Sequence, residues 1–417
     1  MPHTVSRPDR RAARVLPFFL AFLTAALTLL TGHRSHAQPA YDAEARSAFL
    51  LDFESGEVLY EKNADEPLPL ASLTKIMTLY LAQEAIRDGK LSPDEKVAIS
   101  ERAWSQNPAL RGSSLMFLEP GQDVTVREIL LGIAVASGND AAIALAEHMA
   151  GSVDAFVERM NAKAKDLGLT RTRFVDPHGL SEGNVSTARE IGTLAARYIR
   201  EFPNVLRDLH SVKRIEYPKP ENLPGRLAGR PTIPQDNRNW LLWDKDLPVD
   251  GLKTGYVEAA GYNYVVTAKV GDTRLIGVLL GTASEAARAQ QGKALLQYGF
   301  NNWTSIRKYR AGEAVASVRV WKGKADQVDL VVPADVWVAV PKGEEGRLVA
   351  AVKAPADVVA PVAKDQELGS AALFLGEKAI RQVPLVAKDE VPPGGLFKRI
   401  WDSLRLALRS LLARFTK

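Results

Sequence analysis

Three stretches occur in the order Ser72-Leu73-Thr74-Lys75, Ser137-Gly138-Asn139 and Lys253-Thr254-Gly255, and they decide how the chain is read. Serine is a poor nucleophile until a base takes its proton. Residues i and i+3 share a face of a helix, so Ser72 and Lys75 meet if a helix begins near Ser72, as Pro69 upstream suggests. A lysine serves as base only when its pKa is lowered; burial, the positive helix start and a nearby Lys253 would all push that way. The Ser72 N–H, at the helix start, is a natural donor to an oxyanion. Ser137 lies between two apolar helical runs, where its hydroxyl can relay a proton to a leaving amine, and the Asn139 amide can bond a substrate backbone. Lys253 offers a cation and Thr254 a hydroxyl for a substrate carboxylate. Gly255 lets a substrate backbone approach, and the Tyr256 N–H is a candidate second oxyanion donor.

Each motif alone is common. Ser305-Ile306-Arg307-Lys308 is a second S-x-x-K and Ser105-Gln106-Asn107 a second S-x-N; only Lys-Thr-Gly occurs once. Taken singly, the motifs read as a capping serine beside a solvated lysine, a helix cap with a turn glycine, and a polar strand start. The set and its order carry the information. The histidines add little: His148 sits among apolar helical residues and reads as core, His178 reads as a turn residue, and His210 has no partner at ligand spacing. Neither a zinc site nor a Ser-His-Asp triad is expected, and no cofactor.

Working outward, 417 residues suffice for two domains and extras, and 46% hydrophobic with 25% charged residues is an ordinary globular balance. The net charge of +5 is unevenly placed. Residues 1–37 hold five arginines and one acid, the last 22 residues six cations and one acid, so the body between is net negative. A nucleic-acid protein would carry its cations on the folded body, so that partner is set aside. Arginines, the apolar run Val15 to Leu30 and Ser35-His36-Ala37 read as a cleaved secretory signal, the run being too short for a span of about 20 residues. There are no cysteines, so no disulfide or thiolate metal site can form.

Ala48–Phe53 and Glu57–Tyr60 read as a hairpin around Ser55-Gly56. Helices are expected from Ser72 to Ile86, Val126 to Val135, Ala141 to Ala150, Val153 to Leu167 and Ser284 to Leu296, with a strong hairpin at Tyr262–Val270 and Arg274–Leu280. The mixture predicts an α+β layered domain with an antiparallel sheet. From about Trp303 short β-rich runs (Val315–Trp321, Val328–Val332, Trp337–Val340, Leu348–Val352) predict a small all-β domain. Lys388 to Gly395 reads as a linker. In the tail, Phe397, Ile400, Trp401, Leu404, Leu408, Leu411, Leu412 and Phe415 fall within an arc of about 120° on a helical wheel, opposite a basic face. Such a helix packs on its own protein or lies in a membrane interface, and the Pro-Gly stretch before it and its net charge of +5 favour the interface.

The chain resembles the low-molecular-mass penicillin-binding proteins that act as D-alanyl-D-alanine carboxypeptidases. The likeness rests on Pro69–Lys75, Gly112–Phe117, Ala136–Asp140, His178-Gly179-Leu180 and Asp250–Gly255, with S-G-N rather than S-D-N in the middle motif. It implies a β-lactamase/transpeptidase-like catalytic domain over residues 38–298, after a signal peptide at 1–37. An all-β domain at 299–388, a linker at 389–395 and an amphipathic membrane-anchor helix at 396–417 would follow. It implies that Ser72 attacks the terminal D-Ala-D-Ala bond of a peptidoglycan pentapeptide, with Lys75 as base, and that β-lactam antibiotics trap Ser72 as an acyl-enzyme. Arg288, 33 residues after Gly255, becomes a candidate second carboxylate contact. Where many members carry His after K-T-G, this chain has Tyr256. The expected location is the extracytoplasmic, periplasmic face of the membrane. A class A β-lactamase would need E-x-x-L-N, and no Leu-Asn pair exists. A D,D-endopeptidase shares the three motifs but usually lacks the C-terminal domain and tail. A membrane-tethered scaffold with a spent site would have lost the nucleophile or base, and both are present.

Overall fold

The computed structural model describes residues 41–415, with side chains as far as Leu412; the signal expected at 1–37 lies outside the described residues. Strands β1 (Ser47–Asp52) and β2 (Val58–Lys62) form the first hairpin. Helices α1 (Lys75–Arg87), α2 (Val126–Leu131), α3 (Asn139–Ala150), α4 (Val153–Asp166) and α5 (Ala188–Glu201) follow. Then come β3 (Val249–Val257), β4 (Gly261–Val270), β5 (Thr273–Thr282) and α6 (Glu285–Asn302). The five strands make one antiparallel sheet in the order β2-β1-β5-β4-β3, which leaves β3 at an edge.

Alternate residues of a strand face opposite sides of a sheet. On β1 and β5, Phe49 and Val278 meet α5 at Gly192, whereas Leu50 and Leu275 meet α6 at Gly299. Helices therefore cover both faces, giving the layered α+β arrangement expected. The β4–β5 turn is the two-residue Gly271-Asp272, with Gly271 at φ +58° and Val270 paired to Thr273. Every residue of α1 from Lys75 to Ala82 is buried. A helix apolar on all sides belongs in a core, and α1 is the centre of one that α3, α4 and α5 complete.

Helix α6 runs without a break past residue 298 and passes directly into β6 (Trp303–Tyr309). The strands β7 (Ala314–Trp321), β8 (Gln327–Val331), β9 (Val336–Pro341), β10 (Leu348–Lys353), β11 (Asp357–Val359), β12 (Glu367–Leu375) and β13 (Lys378–Ala387) follow. Strand β6 pairs with β9, and the rest form a six-stranded sheet, β10-β12-β13-β8-β7-β11, in which β7 and β11 run parallel. One valine- and leucine-rich core lies between these sheets. The β1–β2 hairpin docks on this region. Buried Asp52 accepts from the Ser55 N–H at 2.8 Å, the Ser55 hydroxyl at 2.6 Å and the Ser305 hydroxyl, while Arg381 donates to the carbonyls of Ser55 (3.1 Å) and Trp337 (2.6 Å).

The stretch read as a linker is hydrogen-bonded to the β-rich region: Val391 exchanges both backbone bonds with Val362, and Gly394 N–H donates to Lys322 O at 2.8 Å. The last helix, α7 (Leu396–Phe415), meets the β-rich region through part of its polar side. Asp402 is buried and accepts the Lys322 N–H at 2.7 Å, Lys398 pairs with Asp326, and Arg409 pairs with Asp357. The apolar residues Phe397, Ile400, Trp401, Leu404 and Leu408 face solvent. No helix among the described residues is long and apolar enough to cross a membrane.

His148 corrects one expectation. It lies at the surface of α3 and bonds Glu95 at 2.7 Å, because the apolar stripe of that helix faces the other way at this position.

Removing the Asp52 carboxylate would leave the buried Ser305 hydroxyl and the partly buried donors of Ser55 without their acceptor. We expect Asp52→Ala to cost about 1–3 kcal/mol in chemical denaturation, and little change in the midpoint would mean that the hairpin is held by its apolar contacts alone.

Candidate active site

Ala71–Thr74 forms one 3-10 turn that enters α1 at Lys75. In such a turn residues i and i+3 eclipse, so Ser72 and Lys75 stand side by side and Lys75 Nζ donates to Ser72 Oγ at 3.0 Å. The other two donors of this ammonium also find acceptors: Asn139 Oδ1 at 2.6 Å and the His178 carbonyl at 2.6 Å. Lys75 is wholly buried. Burial lowers its pKa to about 7, against the pull of the carboxylates Asp176 and Asp140.

The second motif is a helix junction. A π-helical turn, Gly132–Ala136, ends at Ser137, which takes the left-handed conformation with φ +60°, and α3 starts at Asn139. Buried Asp140 accepts the N–H groups of Met116 (2.8 Å), Phe117 (2.8 Å) and Leu118 (3.0 Å), which fixes the 112–118 segment along the cleft. Burial raises the Asp140 pKa, and these N–H groups act in the opposite sense.

The loop that supplies the His178 carbonyl is organised by Asp176. Its carboxylate accepts the N–H groups of His178 (2.9 Å), Gly179 and Ser181 (2.8 Å). Burial would raise its pKa, but His178 and these N–H groups outweigh that and hold it below the usual carboxylate range. Thr78 of α1 donates to Pro177 O at 2.6 Å. Gly179 has φ +88°, and a Cβ there would lie 1.9 Å from Ala71 O, so only glycine allows the loop to press on the Ser72 turn.

Edge strand β3 brings the third motif. A Cβ on Gly255 would lie 3.0 Å from both Leu70 O and Ser72 N, so the strand runs directly against the nucleophile turn. Asn263 of β4 holds that turn from behind, donating to Pro69 O at 2.8 Å. Lys253 is buried beneath the strand and donates to Thr254 O at 2.9 Å. Its pKa falls well below the ordinary lysine value through burial, then through the cations Lys75, Arg288 and Arg238. Burial is thus the leading cause of the lowered pKa of both lysines. Arg288, nearly buried in the first turn of α6, pairs with Glu285 at 2.8 Å, and burial lowers its pKa.

Ser72, Ser137, Asn139, Thr254, Gly255, Tyr256 and Arg288 line one cleft of about 540 Å³, joined by Arg111 and Arg238, while Lys75 and Lys253 lie below its floor. The rival motifs are elsewhere. Ser305–Lys308 lies on β6, where positions i and i+3 face opposite sides, and Ser305 bonds Asp52. Asn107 accepts the Ala109 N–H and caps a short 3-10 turn. Sequence reasoning gave no role to Asp140, Asp176, the His178 carbonyl or Arg238. The first three lie in or beside stretches that carry the family likeness; Asp176, ahead of the turn at Gly179, had a local signal, and the backbone carbonyl had none.

This geometry defines a serine acyl-transfer enzyme of the transpeptidase-like fold. Residues 33–284 match the D-alanyl-D-alanine carboxypeptidase family of peptidases S11, and residues 303–393 match the C-terminal domain of penicillin-binding protein 5. D-alanyl-D-alanine carboxypeptidase DacC of Escherichia coli K12 is 40% identical over 366 residues, 87% of this chain and 88% of the relative. The crystal structure of penicillin-binding protein 5 from Haemophilus influenzae aligns with a TM-score of 0.77 at 35% identity, covering 84% of this chain and 98% of that one. The D-alanyl-D-alanine endopeptidase of E. coli K12 is 32% identical over only 53% of this chain. The chain therefore belongs to the S11 family and is a serine-type D-alanyl-D-alanine carboxypeptidase.

Two outcomes are expected at this site. A base works only when unprotonated, so acylation by a β-lactam should rise about tenfold per pH unit up to pH about 7 and level off above it; a profile flat from pH 5 to 8 would exclude Lys75 as the titrating group. Gly179→Ala should slow acylation by about 10- to 100-fold by displacing the His178 carbonyl and the Ser72 turn, as stopped-flow labelling would read.

Proposed function

We propose that Ser72 Oγ attacks the carbonyl carbon of the penultimate D-alanine of a peptidoglycan pentapeptide while neutral Lys75 Nζ takes its proton. The observation that carries this reading is the 3.0 Å contact between Ser72 Oγ and a wholly buried Lys75 whose pKa is lowered to about 7. The N–H groups of Ser72 and Tyr256 hold the oxyanion; the close approach of Gly255 to Ser72 N supports this pairing. The Ser137 hydroxyl passes a proton to the departing D-alanine amine. Asn139 Oδ1 is committed to Lys75, so its Nδ2 is the group left to meet the substrate backbone. Thr254 and Arg288 receive the terminal carboxylate, with Lys253 adding positive potential from below. Water then cleaves the acyl-enzyme, Lys75 again serving as base. Penicillin acylates the same oxygen, and its bulk delays that water.

The chain is exported, loses residues 1–37, and stands on the outer, periplasmic face of the cytoplasmic membrane. The solvent-facing apolar side of α7 and the six cations of residues 396–417 support an interfacial anchor there. The β-rich region between serves as a spacer that lifts the cleft off the membrane. An endopeptidase reading is weaker, because the relative of that activity matches only about half of this chain.

The decisive experiment incubates the mature protein and Ser72→Ala with fluorescent penicillin and assays D-alanine release from a pentapeptide ending in D-Ala-D-Ala. Label and D-alanine are expected from the wild type and neither from the variant; label without D-alanine would indicate an endopeptidase or a penicillin sensor. Deleting residues 396–417 should move the mature protein from the membrane to the soluble fraction, and persistent sedimentation with membranes would place the anchor elsewhere.

A further inference from the structure

The carboxylate-binding end of the cleft contains an aromatic pair to which the mechanism above gives no task. Tyr256, directly after Lys253-Thr254-Gly255, is half exposed and pairs across the ladder with Tyr262 of β4. Their rings are 4.4 Å apart between centroids, at an interplanar angle of 33°. The Arg288 guanidinium carbon in turn lies over the Tyr262 ring at 5.8 Å from its centroid. Arg288 is almost fully buried, and its ion-pair partner Glu285 is about half exposed and attached to the same helical turn.

A guanidinium that must bind a carboxylate in two directions at once has to be held flat and correctly turned. Glu285 cannot do this alone: a single surface carboxylate three residues away holds weakly and competes with the substrate for the same N–H groups. A ring face attracts a cation without using any of those N–H groups. The Tyr262 ring can thus orient Arg288 while leaving its donors free, and the stack with Tyr256 fixes the Tyr262 ring. A tyrosine after Lys-Thr-Gly supplies the second ring of that stack.

We infer that Tyr262, braced by Tyr256, is a positioning residue that orients the Arg288 guanidinium and thereby sets the enzyme's preference for substrates ending in a free carboxylate. The inference rests on Arg288 as a carboxylate contact, and its test separates the two claims. It concerns selectivity between a free and a blocked C-terminus and leaves the acylation chemistry to Ser72 and Lys75.

The test compares kcat/KM for an acylated D-Ala-D-Ala peptide with kcat/KM for its C-terminal amide, using the mature enzyme. The wild type, Tyr262→Leu, Tyr262→Phe and Arg288→Ala are measured side by side. Leucine keeps the apolar bulk and removes the ring face; phenylalanine keeps the ring and removes only the hydroxyl. The expected result is that Tyr262→Leu lowers the carboxylate-to-amide ratio by about 3- to 30-fold, mostly through KM for the carboxylate substrate, and that Tyr262→Phe restores it. Equal losses on both substrates, or a phenylalanine variant as impaired as the leucine one, would overturn the positioning role. A ratio unchanged in Arg288→Ala would instead overturn Arg288 as the carboxylate contact, and the inference with it. A ratio lowered by Arg288→Ala but not by Tyr262→Leu would overturn the inference alone.

Discussion

The three hydrogen bonds of the buried Lys75 ammonium hold the catalytic part of the molecule together. Their acceptors come from three separate segments: the Ser72 turn, the start of α3 at Asn139, and the 176–179 loop. An ammonium taken out of water costs several kcal/mol unless its donors are satisfied, so each segment must arrive in register for the lysine to be buried at all. Burial is also what turns the lysine into a base, bringing its pKa to about 7. Asp176 and Asp140 limit that fall, and each also organises the loop on its own side of the site through backbone N–H groups. The same carboxylates therefore shape the cleft and set its electrostatics.

The second constraint is the edge of the sheet. An unpaired edge strand invites association with other chains, and β3 is the end strand of the five-stranded sheet. Here the edge lies inside a cleft beside the nucleophile turn, so an extended peptide can add to it only where Ser72 waits. The basic groups at that end, Lys253, Arg238 and Arg288, attract a carboxylate but repel one another, and Lys253 has its pKa lowered first by burial and then by its cationic neighbours. The Tyr262 ring face tempers the repulsion without occupying a donor, whereas Glu285 tempers it by accepting from Arg288 at 2.8 Å.

Helix α7 inverts the usual packing of an amphipathic helix. Its polar side docks on the β-rich region through Asp402, Lys398 and Arg409, and its apolar side faces out. In water this arrangement exposes several large apolar side chains, which marks an interaction surface. The Val391 and Gly394 bonds keep the preceding stretch from acting as a loose tether.

Residue chemistry and short-range pattern were enough to recover the α+β layering, both hairpins, the β-rich region and the amphipathic tail, because periods of two and 3.6 residues are properties of the chain itself. The ordered set of three motifs was enough to prefer Ser72 over Ser305, and the structure adds that Ser305–Lys308 lies on a strand, where a lysine three residues on faces the other side. Local pattern misplaced His148, whose sequence neighbours are apolar but whose helix face is not. It could not find the His178 carbonyl, because a backbone oxygen has no residue identity and this one lies 103 positions from the lysine it meets. Nor could it show that both Lys75 and Lys253 are buried, which is the leading cause of their lowered pKa values. The kinds of groups in the site are written in the chain; which of them face one another, and how dry that space is, follows only from packing segments distant in sequence against one core.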